Sequence, residues 1–280
     1  MANSFSWQTT DGIEIYGHEW PVEGPKAVIA IVHGLGEHIH RYEHVAAWFN
    51  DRQIAVIGYD RRGHGRSGGK KGHAPRYSAF LDEVAQLLVE VELRYPEVPV
   101  FLYGHSMGGN LVLNYALRRH PTINGVIATA PHIRLSFQPN FLMLLLGRIM
   151  RFLFPAFTQS NGLDVDQLSR DREVVRKYQA DPYVHDRLSA AAGIGLLEAA
   201  ARLDAYAGPF PLPLLVMHGG ADGITDPNAS LEFTRRLQGT VEVKIWNGLF
   251  HEIHNEPEQE EILVYAHQWL TRHLVASPTT

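Results

Sequence analysis

The sequence of 280 residues contains no cysteine. A disulfide framework, a thiolate metal site and a cysteine nucleophile are therefore excluded. The amino terminus lacks the basic start, apolar run and small-residue cleavage site of a secretory signal, so we expect a cytoplasmic protein. The most apolar stretch, residues 141–157, is shorter than the roughly 20 residues that span a bilayer, and it carries Arg148, Arg151 and Pro155.

A strong charge of either sign is also missing, because 30 acidic and 25 basic residues leave a net charge of −5. This balance gives no general attraction to phosphate backbones, and no basic patch dominates, so no nucleic-acid partner is expected. Apolar residues, in contrast, are plentiful: 45% of the chain is hydrophobic and 20% is charged. The composition predicts a soluble globular protein with one elaborated domain.

Short apolar runs alternate with helical patterns along most of the chain. The runs suit strands buried on both faces of a sheet, and they occupy residues 27–32, 54–59, 98–103, 126–129, 212–217 and 241–246. Helical periodicity covers residues 77–95 and 110–119. This alternation predicts an α/β fold with a mostly parallel sheet flanked by helices. Residues 13–20 alternate apolar and polar side chains, which predicts an antiparallel strand at the start of the sheet.

The strand pattern stops between about residues 131 and 209. This segment is helical in character, apolar early and charged around residues 164–176. We predict a helical cap at 131–209, inserted between two parts of the sheet domain at 1–130 and 210–280. Prolines 209, 211 and 213 stiffen the return to the sheet, because each fixes its own φ and disfavours helix before it.

The strongest local signal is Gly104-His105-Ser106-Met107-Gly108, at the end of a predicted strand and the start of a helix. It fits the G-x-S-x-G nucleophile elbow, in which the serine occupies a strained turn and the glycines let neighbouring backbone pass close. Ser106 is therefore the predicted nucleophile. A glycine-rich turn with an incidental serine is the alternative, and the strand before and helix after disfavour it.

A serine hydroxyl is a weak nucleophile, so it needs a base and an orienting carboxylate, which here should follow it as acid and then histidine. Asp222, just past the end of a predicted strand, is the predicted acid. Asp226 is its rival, although Asp226-Pro227 is also typical of a helix start. His251, after the last predicted strand, is the predicted base, with His254 second. Because the base must be neutral, activity should fall below about pH 6.5.

Two backbone donors are needed for the oxyanion of the tetrahedral intermediate. One is the N–H of Met107, immediately after the predicted nucleophile. The other is expected from the glycine-rich loop at residues 33–38, where the N–H of Leu35 is the candidate. His33 and His105 flank the site and are expected to shape its loops.

Other patterns carry less weight. Residues 63–68 match G-x-G-x-x-G, but three residues separate them from the preceding strand and no helical period begins directly after them. Residues 69–71 lack the remaining positions of a phosphate-binding loop. His251 and His254 are three apart instead of the four that zinc-binding His-Glu-x-x-His requires, with no third ligand evident. No cofactor and no metal are expected.

Taken together, these residues resemble the α/β-hydrolase superfamily, and within it the monoacylglycerol lipase and lysophospholipase-like serine hydrolases. The match covers nearly the whole chain. The segments that carry it are HGLGEHIHRYE (33–43), YDRRGHGRS (59–67), YGHSMGG (103–109), YQADP (178–182), HGGADGITD (218–226) and HEIHNEPE (251–258). The resemblance implies the α/β-hydrolase fold, a triad of Ser106, Asp222 and His251, and an oxyanion hole from the Leu35 and Met107 amides.

The resemblance also implies a substrate site. The residues expected around the glycerol end of the substrate or its exit path are Glu37, Arg41, Tyr178 and His254. The cap would cover the site and supply an apolar tunnel for the acyl chain, with the lining residues expected at Phe141, Leu145 and Ile149. One departure is Thr225, where some animal monoacylglycerol lipases carry a cysteine, so sensitivity to thiol reagents is not expected.

The implied activity is hydrolysis of monoacylglycerols or similar single-chain acyl esters through an acyl-enzyme, and the implied partner is that small ester. The alternatives are a general small-ester esterase, lysophospholipase, thioesterase, acyltransferase or peptidase on the same triad, and a non-catalytic receptor on the same fold. The apolar part of the cap offers a surface for peripheral membrane contact, for a homodimer, or for packing on the core.

Overall fold

The computed structural model describes residues 3–138 and 140–274. The strands, in chain order, are β1 (Asn3–Gln8), β2 (Glu14–Trp20), β3 (Ala27–Val32), β4 (Ile54–Tyr59), β5 (Val100–His105), β6 (Gly125–Thr129), β7 (Thr158–Ser160), β8 (Arg187–Ser189), β9 (Gly208–Pro209), β10 (Leu214–Gly219), β11 (Leu237–Gln238) and β12 (Val241–Trp246). The helices are α1 (Glu43–Asn50), α2 (Tyr77–Arg94), α3 (Met107–Arg119), α4 (Phe141–Leu153), α5 (Arg172–Ala180), α6 (Ala190–Ala205), α7 (Pro227–Arg235) and α8 (Gln259–Arg272). Three short 3₁₀ turns cover Ile39–Tyr42, Val165–Gln167 and Ile253–Asn255.

Eight strands form one sheet in the order β1-β2-β4-β3-β5-β6-β10-β12. β2 runs antiparallel to both of its neighbours, whereas every pair from β4 to β12 is parallel. The predicted mostly parallel sheet with an antiparallel start is confirmed. β1 was missed, because this edge strand is mostly exposed and only Phe5 and Trp7 mark its alternation.

Helices cover both faces of the sheet, and successive residues of each strand point to opposite faces. In β3, Val28, Ala30 and Val32 join the apolar layer beneath α2, α3, α6 and α7. Ile29 and Ile31 join the layer beneath α1 and α8. A strand buried on both faces needs apolar residues throughout, which is why the central strands read as continuous apolar runs.

The segment between β6 and β10 contains α4, α5 and α6, together with β7 and β8, which pair antiparallel. The two strands have three residues each, too few for a visible period, and only helix was predicted here. α6 packs against α2, α3 and α7, and α4 packs on α6. Because α6 belongs to the packing of the core, the cap boundaries at 131 and 209 stay a prediction. In the described ranges, no helix combines the length and the hydropathy needed to span a membrane.

Glycine at the start of α3 allows this helix to lie directly on β3. α3 begins at Met107, three residues before its predicted start. A Cβ on Gly108 would collide with the Val32 carbonyl oxygen and would lie 2.6 Å from that of His33. Glycines at the start of α3 hid the beginning of the helix in the sequence pattern. Gly108 at least is required there by packing.

We expect Gly108→Ala to lower the free energy of unfolding by about 2 kcal/mol or more, because rigid backbone surrounds the added methyl group. Chemical denaturation measures this change. Gly193→Ala in α6 is the matched control, since its Cβ meets only the flexible Leu188 side chain at 3.3 Å and should change stability by less than about 1 kcal/mol. Equal effects of the two substitutions would contradict the packing argument.

Candidate active site

Three of the predicted site residues follow parallel strands of the sheet. Ser106 follows β5, Asp222 follows β10 and His251 follows β12. The carboxyl ends of parallel strands meet at one edge of a sheet, where ligands usually bind in α/β folds. The topology therefore brings residues that are 145 positions apart in the chain (106 to 251) to one edge.

Ser106 occupies a strained turn between β5 and α3. Its φ of 54° and ψ of −114° lie in a region that residues other than glycine rarely adopt. Backbone hydrogen bonds hold the turn: Ser106 N–H donates to the Thr129 carbonyl at 2.9 Å, and Ser106 O accepts from Asn110 N–H at 2.9 Å and His132 N–H at 3.0 Å. Such strain costs about 1–3 kcal/mol and persists only where the surrounding structure enforces it. The geometry is that of a nucleophile elbow.

Asp222 and His251 form a buried pair. Nδ1 of His251 lies 2.7 Å from Oδ2 of Asp222, so Nδ1–H donates to the carboxylate and Nε2 stays available as a proton acceptor. The His105 ring, adjacent to Ser106 in sequence, lies 4.8 Å from the His251 ring between centroids. Within the described residues the Ser106 hydroxyl makes no hydrogen bond to His251. Such bonds are often long until the reacting complex forms.

The Asp222 carboxylate is surrounded by donors. Oδ1 accepts from the N–H groups of Ile224 at 2.7 Å and Thr225 at 3.0 Å. Oδ2 lies 2.9 Å from the Thr225 hydroxyl and 3.0 Å from Nε2 of His218. Burial alone would raise the pKa of Asp222, but the nearby His251 and the hydrogen bond from His218 hold it well below its ordinary value. The carboxylate therefore stays ionised.

His218 and the contact role of Thr225 were missed in the sequence. Nε2 of His218 faces two acceptors, Asp222 Oδ2 and the Thr225 carbonyl oxygen at 3.1 Å, so Nε2 carries the proton. Nδ1 lies 2.8 Å from the Ser230 hydroxyl and can accept from it. The only signal in the sequence was its position, because His218 lies at the end of β10, four residues before Asp222.

Asp226, the rival for the acid, has another contact. Its carboxylate accepts from Asn228 N–H at 2.9 Å, and Pro227 occupies the first position of α7. Arg134 approaches the other oxygen at 3.2 Å. These are the contacts of a helix N-cap, as the Asp-Pro pattern indicated.

Opposing effects set the protonation of the buried histidines. Burial lowers the pKa of His251, but the Asp222 carboxylate outweighs it and raises that pKa above its ordinary value. Among the described residues, His105 and His254 have no hydrogen bond to a carboxylate. Burial therefore dominates, and it lowers the pKa of His105 well below its usual range and that of His254 to about 3. Among the described residues, no three or more His, Asp or Glu side chains are grouped to hold a metal ion.

The two predicted oxyanion donors lie on the same cavity as Ser106. Met107 is the first residue of α3, so its N–H has no acceptor within the helix. The Leu35 N–H donates no backbone hydrogen bond within the described chain. Glu37 holds the loop before Leu35, because its Oε1 accepts from Gly34 N–H at 2.5 Å.

The four residues expected at the glycerol end lie near one another, but outside the wall of the cavity. Arg41 donates to Glu37 Oε2 at 2.6 Å and to both oxygens of Glu252 at 2.7 Å. Its guanidinium carbon lies 4.7 Å from the centre of the Tyr178 ring. His254 packs edge-on against His105. The charged groups of this network are satisfied by one another.

A cavity of about 560 Å³ extends from Ser106 into the segment between β6 and β10. Its wall contains no charged side chain among the described residues. The apolar part of the wall includes Phe137, Leu144, Met150, Leu188, Ile194 and Leu197. The cavity is therefore suited to a neutral, largely apolar ligand.

The prediction that Phe141, Leu145 and Ile149 line this cavity is wrong. They are 72%, 44% and 47% exposed and do not contribute to its wall. The predicted residues are four apart and therefore lie on one side of the helix, but their spacing does not show which side that is. α4 is apolar on nearly every side, so its composition did not show it either. The residues of α4 that do line the cavity are Met143, Leu144, Leu146, Gly147 and Met150.

The sheet order and the strained serine turn define an α/β-hydrolase. Residues 23–258 match the model of the family described as serine aminopeptidase, S33, and the chain belongs to this hydrolase family. It is 33% identical to the monoacylglycerol lipase of Mycolicibacterium smegmatis, over 96% of this chain and 97% of that protein. An abhydrolase domain-containing protein of Dictyostelium discoideum is 37% identical over 89% of this chain, which spans 27% of that longer protein. The crystal structure of the Paleococcus ferrophilus monoacylglycerol lipase superposes with a TM-score of 0.85 at 32% identity, covering 92% of this chain and 99% of that one.

The pKa of His251 should lie above 6.5 when followed by NMR of its imidazole signals over a pH titration, because Asp222 stabilises the charged ring. In Asp222→Asn the pKa of His251 should fall, because the carboxylate that raises it is gone and burial, which lowers it, remains. Asp226→Asn is the matched control and should leave the His251 signals unchanged. An unaltered His251 pKa in Asp222→Asn would contradict the electrostatic assignment.

Proposed function

We propose that this protein hydrolyses monoacylglycerols or similar single-chain acyl esters, with Ser106 as the nucleophile. The observation that carries the proposal is a serine on a strained turn in the wall of an uncharged, largely apolar cavity, with a buried carboxylate–imidazole pair at the same edge of the sheet. The likeness over nearly its full length to a protein named monoacylglycerol lipase supports the same substrate class.

In the proposed first step, Nε2 of His251 takes the Ser106 proton while Oγ attacks the ester carbonyl. The carbonyl oxygen becomes an oxyanion, and the Leu35 and Met107 N–H groups donate to it. Asp222 keeps Nδ1 protonated and stabilises the imidazolium. The bond to the alcohol then breaks, His251 returns the proton to the leaving oxygen, and the acyl group remains as an ester on Ser106.

The second step repeats this chemistry with water. His251 removes a proton from the water, and hydroxide adds to the acyl-enzyme carbonyl. The bond to Ser106 Oγ then breaks as His251 returns the proton to Oγ. The products are a fatty acid and free enzyme, so no cofactor is needed. Each methylene of the acyl chain that enters the cavity can add up to about 0.8 kcal/mol of binding free energy.

A peptidase on the same triad is the second candidate, since the matched family is described as serine aminopeptidase. An aminopeptidase must bind the α-ammonium group of its substrate, which calls for a carboxylate in the site. No Asp or Glu lines the described cavity. The uncharged wall therefore favours an acyl ester.

The predicted role of Glu37, Arg41, Tyr178 and His254 around the alcohol end remains a proposal. Their buried contacts support a narrower role in bracing, because Glu37 holds the loop before Leu35 and Arg41 links Glu37 to Glu252, next to His251.

We expect kcat/KM for monoacylglycerols to rise with chain length until the cavity is filled, with little turnover of a triacylglycerol. Turnover measured over a chain-length series, with an aryl acetate for comparison, tests this expectation. Ser106→Ala should abolish turnover of every ester.

Good activity on the aryl acetate alone would instead indicate a small-ester esterase. Activity that survives Ser106→Ala would rule out the proposed nucleophile. The acidic limb of kcat/KM should have its midpoint above pH 6.5, because His251 must lose its proton to act as base and Asp222 raises its pKa.

The outer face of α4 is proposed to contact a lipid surface. Several large apolar side chains are exposed on this helix and do not line the cavity, among them Phe141, Leu142, Leu145, Phe152 and Leu153. The same helix lines the cavity through Leu144 and Met150. An exposed apolar patch of this kind marks an interaction site, and a lipid surface is where single-chain esters reside.

Phe152, which is 91% exposed, provides the test of this contact. We expect Phe152→Asp to lower turnover of vesicle-borne monoacylglycerol about 10-fold, because a buried aromatic ring contributes about 1.5–3 kcal/mol, and to leave turnover of a water-soluble ester nearly unchanged. Leu93→Asp, an exposed apolar site at the end of α2 away from the cavity, is the matched control. Equal losses on both substrates would contradict lipid contact, and a change from dimer to monomer in sedimentation would indicate a homodimer surface.

A further inference from the structure

Arg61 is a buried cation that contacts no carboxylate within the described chain. The residue is fully buried near the carboxyl end of β4. No carboxylate of the described chain lies within salt-bridge distance of it, and its Nε and Nη1 atoms have no hydrogen-bond partner among the described residues. Buried charges are ordinarily paired, and an unpaired one calls for a physical explanation.

The hydrogen bonds that Arg61 does make converge on one carbonyl group. Its Nη2 donates to the Gly34 carbonyl oxygen. Nδ1 of His33 lies 2.8 Å from the same oxygen and donates to it. The backbone N–H of Arg61 donates to Nε2 of His33 at 3.1 Å, which fixes the proton of that imidazole on Nδ1. Burial, followed by the charge of Arg61, holds the pKa of His33 well below its usual range, so the ring is neutral.

This carbonyl belongs to the same peptide group as the N–H of Leu35. The peptide is a conjugated, planar unit with its N–H directed away from its C=O. Hydrogen bonds that draw electron density to the oxygen make the N–H a stronger donor, because linked hydrogen bonds polarise one another. A cationic donor in a buried site does this more strongly than a neutral one.

We propose that Arg61 is a positioning residue that acts through the Gly34–Leu35 peptide to strengthen and orient the Leu35 N–H as an oxyanion donor. The inference rests on the proposed function, since it needs an oxyanion beside Ser106. The negative charge on the substrate oxygen develops only in the transition state. Arg61 should therefore affect kcat and not the binding of the ground-state ester.

Arg62 is the matched control. It follows Arg61 directly and is also buried, but its guanidinium pairs with Glu83 and with Asp11, the latter at 2.7 Å. Arg62 makes no contact with Gly34 or His33 among the described hydrogen bonds. Its substitution changes a buried cation of the same loop without changing the Leu35 peptide.

The experiment compares wild type, Arg61→Met, Arg61→Lys and Arg62→Lys, with folding checked by circular dichroism. kcat and KM are measured with a water-soluble aryl ester. A carbon-13-labelled trifluoromethyl ketone, which adds to the serine as a hemiketal whose oxygen occupies the oxyanion position, gives an inhibition constant and, by NMR, the pKa of that oxygen.

We expect Arg61→Met to lower kcat about 10- to 100-fold, less than the 10²- to 10³-fold effect of removing a whole oxyanion donor. KM should change little. Ketone binding should weaken by a similar factor, and the hemiketal pKa should rise. Arg61→Lys should recover part of each effect, since it keeps a cation, and Arg62→Lys should match wild type in kcat and hemiketal pKa.

Unchanged kcat and hemiketal pKa in folded Arg61→Met would overturn the inference, as would equal losses in Arg62→Lys. If Arg61→Met does not fold, the Arg61→Lys and Arg62→Lys pair decides, because a hemiketal pKa that is the same in both overturns the inference. A wild-type protein that neither hydrolyses esters nor binds the ketone would refute the proposed function and this inference with it. A wild type active in both assays, with Arg61 variants like it, would refute this inference alone.

Discussion

The arrangement of the candidate site depends on one close backbone contact. Gly108, in the first turn of α3, lies against the carbonyl groups of Val32 and His33 at the end of β3. This contact places the start of α3 beside the loop that follows β3. The N–H groups of Met107 and Leu35 come from these two segments, so their common position on the cavity follows from a contact that only glycine permits. The strained Ser106 turn is held by separate contacts, because its backbone bonds reach β6, the residues after β6, and α3.

Features that depend on local sequence were largely predictable. The central strands and the main helices follow from hydrophobic period, and the turn around Ser106 follows from glycine spacing. Features that depend on distant contacts were not. The role of His218 becomes visible only when the turn after β10 folds back and brings the Asp222 carboxylate to its ring. The role of Arg61 becomes visible only when the loop after β3 brings the Gly34 carbonyl to its guanidinium. The cavity-facing side of α4 could not be predicted from the sequence either. Apart from Arg148 and Arg151 the helix is apolar on every side, and these two arginines do not show which apolar side faces inward.

Electrostatics divide the site into an ionised part and a neutral part. Asp222 keeps its charge through five donors, one of which is His251 itself. Its carboxylate raises the pKa of His251, whereas burial holds other histidines nearby neutral. The cavity beyond Ser106 has no charge in its described wall. In the proposed reaction, negative charge develops on a substrate oxygen between the ionised and the neutral part of the site. The N–H groups there are fixed by the fold, and such fixed dipoles act more strongly than they would in water.

Gly34 shows how the charges outside the cavity act on the site. Glu37 accepts from its N–H, whereas Arg61 donates to its C=O. The anion therefore stabilises the dipole of the peptide before Gly34, and the cation stabilises the dipole of the peptide after it. The Leu35 N–H belongs to this second peptide and is directed away from Arg61. A side chain at Gly34 would press on the Glu37 carboxylate, since its Cβ would lie 2.6 Å from Oε1. Glu37 is in turn fixed by Arg41, which also binds Glu252 next to His251. A single guanidinium thus connects the loop of the proposed oxyanion donor to the segment of the proposed base, so displacement of either one would disturb the other.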